Sequence, residues 1–195
     1  MVLTVRLEND YDAENPIGQS GDSRERFVSF NQRHRSFADP DEFFEWTPKG
    51  YVPKIGLRRQ LATGCAALLD YYEHGQCRWS LSGFGPQCRW DTSRGAGIYW
   101  LPTDVPKDMR EEYARAALEE YTDWCNGNCY YYSIETDTGE HVDSCGGFIG
   151  SDYFMQEVAD TITNYLKDHE VGAIHVEGGA AWLAQYHELP KENAA

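Results

Sequence analysis

Two glycine-bearing turns constrain this chain more than any other feature. Glu73-His-Gly75 lies between the runs 68–72 and 76–81, and Thr136-Asp-Thr-Gly139 lies between 129–135 and 140–145. Short β-prone runs on both sides of such a turn read as antiparallel hairpins. Further strand-like runs occur at 3–7, 27–30, 97–101 and 171–176. Two segments follow the helical period instead. Residues 107–124 come after Asp104 and Pro106, which are start signals, and end before Gly127. They place Tyr113, Ala114, Ala117, Tyr121 and Trp124 on one apolar stripe. Residues 152–167, with Ser151 as the cap, align Phe154, Val158, Ile162, Tyr165 and Leu166. Hairpins interspersed with helices, without βαβ alternation, predict an α+β fold. The expected architecture is a mainly antiparallel sheet built from hairpins, with two main amphipathic helices packed on it. A short helix is expected around 41–46, and the glycine-rich stretch 83–97 reads as a loop. Residues 57–72 begin ambiguously between helix and strand, with Gly64 as an interruption. No linker divides the 195 residues, so one domain is expected over 1–190 with a loose tail over 191–195.

Charge narrows the function. Asp and Glu number 32 against 17 Lys and Arg, for a net charge of -15. Residues 101–195 hold 19 of those acids and only 5 of the bases. An aromatic content of 14% argues that this acidity belongs to a folded protein and not to a disordered tail. An acidic half repels a phosphate backbone, so no direct nucleic-acid binding is expected. It attracts a basic protein surface, including one built to hold DNA. The helical segments supply the candidate partner-binding residues: Asp108, Glu112, Glu119, Glu120 and Asp123 from the first, and Asp152, Glu157 and Asp160 from the second. No apolar run approaches the roughly 20 residues of a membrane helix, and the N-terminal segment does not resemble an export signal. The expectation is a protein of the host cytoplasm with no membrane partner.

The six cysteines read as thiols in a reducing compartment. Cys125 and Cys129 form the one close pair, without the second pair a structural zinc needs. Neither metal nor cofactor is expected. An alternative catalytic or ligand cleft would combine Cys88, Arg89, Trp90, Asp91 and Arg94 with His141, Asp143 and Cys145. On a regular strand 141, 143 and 145 share a face, giving an imidazole, a carboxylate and a thiol. The favoured reading of that segment is a packed corner at Gly146 and Gly147, with Cys145 largely buried. Trp79 and Trp90 are expected in the core.

The order of several motifs resembles a family. Glu14-Asn-Pro16 is followed by Arg33-His-Arg35 and Tyr72-Glu-His-Gly75. Cys88, Trp90 and Asp91 with nearby glycines come next, then an acidic helix and Gly139-Glu-His-Val-Asp-Ser-Cys-Gly-Gly-Phe148. This resembles small acidic accessory proteins of bacteriophages and prophages. The chain departs from that pattern in having Cys88-Arg-Trp-Asp-Thr-Ser93 where Cys-Pro-Trp-Asp-Ser-Gly is usual. It also lacks an aromatic residue between Cys145 and the following glycine. The resemblance implies a phage-encoded inhibitor of a host protein, acting in counter-defence or host takeover, and implies no reaction or catalytic residue. A DNA-mimicking acidic face is the expected means. The alternative is an enzyme or nucleotide-sequestering protein that uses the Cys/His/Asp and Arg/Trp cleft.

Overall fold

The computed structural model describes residues 1–18, 21–22, 24–187 and 189–190. In chain order the elements begin with β1 (Val2–Asn9), β2 (Arg26–Ser29), β3 (Phe44–Thr47), β4 (Gly50–Pro53) and α1 (Ile55–Thr63). Next come β5 (Ala66–His74), β6 (Gln76–Leu81), β7 (Thr92–Trp100) and α2 (Arg110–Cys125). The chain finishes with β8 (Cys129–Thr136), β9 (His141–Ile149), α3 (Ser151–Leu166) and β10 (Ala173–Glu177). Among the described residues, three helices and ten strands in mostly antiparallel sheets make this an α+β fold. The chain divides into two compact units, Met1–Glu14 with Asp123–Ala195, and Asn15–Thr122. The division falls inside α2, where the sequence carries no linker. The expected tail over 191–195 lies outside the described residues.

The first unit is a four-stranded sheet in the order β10-β1-β8-β9, with β1 parallel to β10 and antiparallel to β8. Leu3, Val5 and Leu7 alternate inward on β1, as do Tyr130, Tyr132 and Ile134 on β8. α3 covers that face with Phe154, Met155, Val158 and Ile162, all buried. Each such side chain contributes about 1.5–3 kcal/mol on leaving water. Gly150, at φ 83°, is the N-cap, and Ser151 is already helical, so the expected serine cap is not formed. β9 also runs past its glycines. Tyr132 faces Cys145 while Tyr130 faces Phe148, which leaves Gly146 and Gly147 in a bulge opposite Tyr131. A Cβ on Gly146 would stand 3.1 Å from that of Tyr131, and Gly147, at φ 80°, donates its N–H to Asp10 Oδ2 at 2.9 Å. The expected strand-to-helix corner is this bulge.

The second unit is an antiparallel sheet in the order β2-β7-β5-β6, with the separate hairpin β3-β4. Gly64 resolves the ambiguous stretch: at φ 71° it ends α1 in the left-handed conformation and releases the chain into β5. The helix expected around 41–46 is only a 3-10 turn, Pro40–Glu42, after which the chain enters β3. The hairpin takes over because Thr47 donates its hydroxyl to Gly50 O at 2.7 Å across the turn. Residues 92–97 of the expected loop belong to the inner strand β7. Gly97 there is required by packing, because a Cβ would lie 2.5 Å from Val28 O. On α2 the buried residues are Ala114, Leu118 and Tyr121, while Tyr113 from the expected stripe is exposed. Tyr121 joins Phe27, His34 and Trp79 in an aromatic cluster.

Candidate functional site

The charge partition is sharper in the structure than along the chain. The first unit carries 17 Asp and Glu against 3 Lys and Arg, whereas the second carries 15 against 14. Nearly all the net charge therefore belongs to one unit. Of its three cations, Lys191 lies outside the described residues. Arg6 is paired with Glu177 at 2.7 Å, and Lys167 donates to Asn164 Oδ1 at 2.8 Å.

Several acids of this unit hold backbone in place. Asp10 accepts from Gly147 N and Asp12 N, Asp137 from Val2 N, and Glu8 from Gly179 N. Asp123 is also engaged within the unit, by a side chain. It is half-buried and accepts the Asn128 side-chain amide at 2.8 Å, so the expectation of a free surface acid is corrected. The outer face of α3 is different. Asp152 is almost fully exposed, with only His187 Nε2 nearby at 3.8 Å. Asp160 is exposed and accepts from Gln156 at 3.0 Å, and Glu157 is half-buried. The other candidates, Asp108, Glu112, Glu119 and Glu120, are exposed along α2 or just before it in the second unit. Burial, with the charge of Glu25 added, pushes the Glu120 carboxyl up. On α2 an ion pair joins Arg115 to Glu111 at 2.8 Å. The eight candidate acids are thus split between the two units.

The alternative cleft is split as well: Cys88 to Arg94 belong to the second unit, and His141, Asp143 and Cys145 to the first. In the loop, Cys88 Sγ donates to Asp91 Oδ2 at 3.2 Å, and the same oxygen is 3.5 Å from His74 Nδ1. Trp90 is 83% exposed, which overturns its expected place in the core; Trp79 is buried as expected. The Arg89 guanidinium lies 5.0 Å from the Trp90 ring centroid, and Arg94 is exposed.

On β9 the face rule fails because the ladder slips between Ile134 and Glu135. Asp143 faces Ile134, whereas His141 faces Glu135. The slip turns His141 to the opposite side. Its Nε2 meets Ser144 Oγ at 3.1 Å, while Asp143 accepts from the Tyr132 hydroxyl at 2.8 Å. Cys145 is exposed, contrary to expectation, with Gly146 O at 3.9 Å. Imidazole, carboxylate and thiol do not converge on this strand. Cys129 is the buried thiol; burial, with Asp10 and Asp123 nearby, pushes it up to about 11. Among the described residues no three His, Cys, Asp or Glu side chains are gathered as a metal ion would require. Nor is any helix there long and apolar enough to cross a membrane.

One group escaped sequence reasoning. Asp70 is 1% exposed yet accepts four hydrogen bonds, from Ser82, Gly83, Gln87 and Gly95. Its signal was a lone carboxylate inside the apolar run Leu68-Leu-Asp-Tyr-Tyr72. It fixes the turn after β6 and the start of β7, and so positions the loop that carries Cys88 and Trp90. No family model, curated protein or solved structure matches this chain.

Proposed function

We propose that the protein is a phage-type accessory protein that binds a basic surface of a host protein and blocks it. The observation that carries this reading is the charge of the first unit, 17 acids against 3 bases, with Arg6 already engaged by Glu177. Like charges within about 8 Å, the Debye length at physiological salt, repel one another, and a basic partner relieves that repulsion. On α3, Asp152 and Asp160 lie eight residues apart, about 12 Å along the helix axis, and present charge outward in a fixed array. Such an array can stand in for phosphates on a surface that holds DNA.

The test is capture of the tagged protein from its infected host at rising salt, with host proteins identified by mass. Asp152→Lys with Asp160→Lys, and separately Asp108→Lys with Glu112→Lys and Glu119→Lys, should weaken capture and flatten its salt dependence. Trp90→Ala with Arg94→Ala should leave it unchanged. Loss of capture in the loop variant, with retention in both lysine variants, overturns the acidic-face reading.

A further inference from the structure

The second unit contains a groove of about 820 Å³ that the charge partition does not account for, since that unit is close to neutral. Val105, Met109 and Tyr113 supply apolar walls, with Met109 44% and Tyr113 36% exposed. Asp22, Asp104 and Glu112 also line it, and among the described residues no lysine or arginine does. Arg110, close by in sequence, is engaged by backbone: its guanidinium donates to the carbonyls of Thr63 and Val105. Asp22 is a permanent anion. Its carboxylate accepts from Thr103 Oγ1 and Thr103 N at 2.7 Å and from Arg24 N at 2.9 Å, bonds that hold it down to about 2.

Apolar walls with the carboxylates of Asp104 and Glu112 beside them suit a side chain that is apolar along its stem and cationic at its head. Arginine fits best, because a planar guanidinium can lie on an aromatic face and also fork onto a carboxylate. We propose that this groove binds an arginine side chain projecting from a basic segment of the partner protein. The stem lies against Val105 and Met109, the guanidinium over Tyr113 and toward Asp104 and Glu112. The inference deepens the reading of the protein as a binder of a basic partner and rests on it for the source of the arginine.

The chain has three methionines, so the 13C-methyl signal of Met109 can be followed by NMR with Met1 and Met155 as references. The probe is the peptide acetyl-(Arg-Ala)3-amide, with its citrulline counterpart as the uncharged isostere. The arginine peptide should shift the Met109 methyl saturably and leave buried Met155 unmoved. Asp104→Asn with Glu112→Gln should weaken the titration about tenfold, and Ala116→Trp, which fills the groove without removing a charge, should abolish it. Equal binding of the citrulline peptide, a still Met109 signal, or an unaffected amide variant with an unchanged thermal melt would each overturn the proposal. Asp152→Lys with Asp160→Lys separates the two readings. If it abolishes the Met109 response, the shift reports the charge of the first unit, and the groove proposal falls while the acidic-face reading stands. If it changes the Met109 affinity by less than about twofold, the groove acts by itself.

Discussion

Replacing Asp70 by asparagine should cost far more than the loss of one formal charge suggests. Oδ1 accepts from Ser82 Oγ at 2.8 Å and Gly95 N at 3.0 Å; Oδ2 accepts from Gly83 N at 2.8 Å and Gln87 Nε2 at 3.2 Å. An amide offers one oxygen. In one orientation its NH2 confronts Gly95 N–H, and in the other it confronts Gly83 N–H. One buried backbone donor is therefore orphaned, at about 1–3 kcal/mol, and the surviving bonds lose charge assistance. Set against this is the relief of burying no ion, and the net loss should be about 2–4 kcal/mol. For a chain of this length that lowers the melting temperature by roughly 4–16 °C. Four of the six tryptophans lie in the second unit, so fluorescence during urea unfolding reports mainly on it.

The pH dependence supplies an independent check on the same bonds. Burial pushes the Asp70 carboxyl up, but the N–H groups of Gly83 and Gly95, with Ser82 and Gln87, outweigh burial and hold it below the ordinary range. A carboxyl lower in the folded chain than in the unfolded one stabilises fully above the unfolded value of about 3.9. That contribution disappears as pH falls through the folded value. The gap between wild type and Asp70→Asn should therefore be widest near neutrality and close in strong acid. A variant within about 0.5 kcal/mol of wild type at pH 7, or a gap that does not narrow below about pH 4, would refute the argument.

Three further outcomes are expected. Gly97→Ala forces a methyl to 2.5 Å from Val28 O and 3.3 Å from the Trp79 ring, and should cost at least about 2 kcal/mol in urea unfolding, whereas Gly56→Ala, whose added Cβ meets nothing within 4 Å, should cost nothing. In native protein, exposed Cys145 should be modified quickly by an aromatic disulfide reagent, while Cys129, buried and pushed up to about 11, should react only on unfolding; mass mapping of the modified cysteines checks this. His34 is held down by burial, with Nδ1 accepting Ser36 N–H at 3.3 Å and Nε2 3.1 Å from the Tyr121 hydroxyl. Its stabilisation is complete above the unfolded value of about 6.5 and is lost as pH falls through the lower folded value, so a pH titration of stability should lose that step in His34→Gln.

The sequence by itself determined the hairpins, both main helices and the α+β class, because those follow from short-range periodicity and turn chemistry. Tyr130, Tyr132 and Ile134 alternate into the core of their unit, as a period of two requires. Tertiary structure decided what depends on partners distant in the chain. Gly95 reads locally as a loop residue, yet it lies in an inner strand with its N–H donated to Asp70, and Gly97, where the loop and strand readings met, leaves no room for a side chain because Val28 O approaches it. Gly146 and Gly147 look like a strand end, yet β9 continues through them because Asp10 receives the freed N–H. The thiol of Cys145 and the ring of Trp90 face solvent, although their local sequences suited a core. The candidate cleft on β9 failed for a related reason. A period-two argument assumes an unbroken ladder, and one slip opposite Ile134 and Glu135 separates His141 from Asp143. Charge was legible as a total and as a gradient along the chain. Its assignment to one unit required the fold, since residues 1–14 return to join 123–195 through the pairing of β1 with β8 and β10. Periodicity acts over a few residues and is written in the sequence, whereas close approach, register and the company of charges depend on which segments the fold brings side by side, from the successive strands β8 and β9 to β1 and β10.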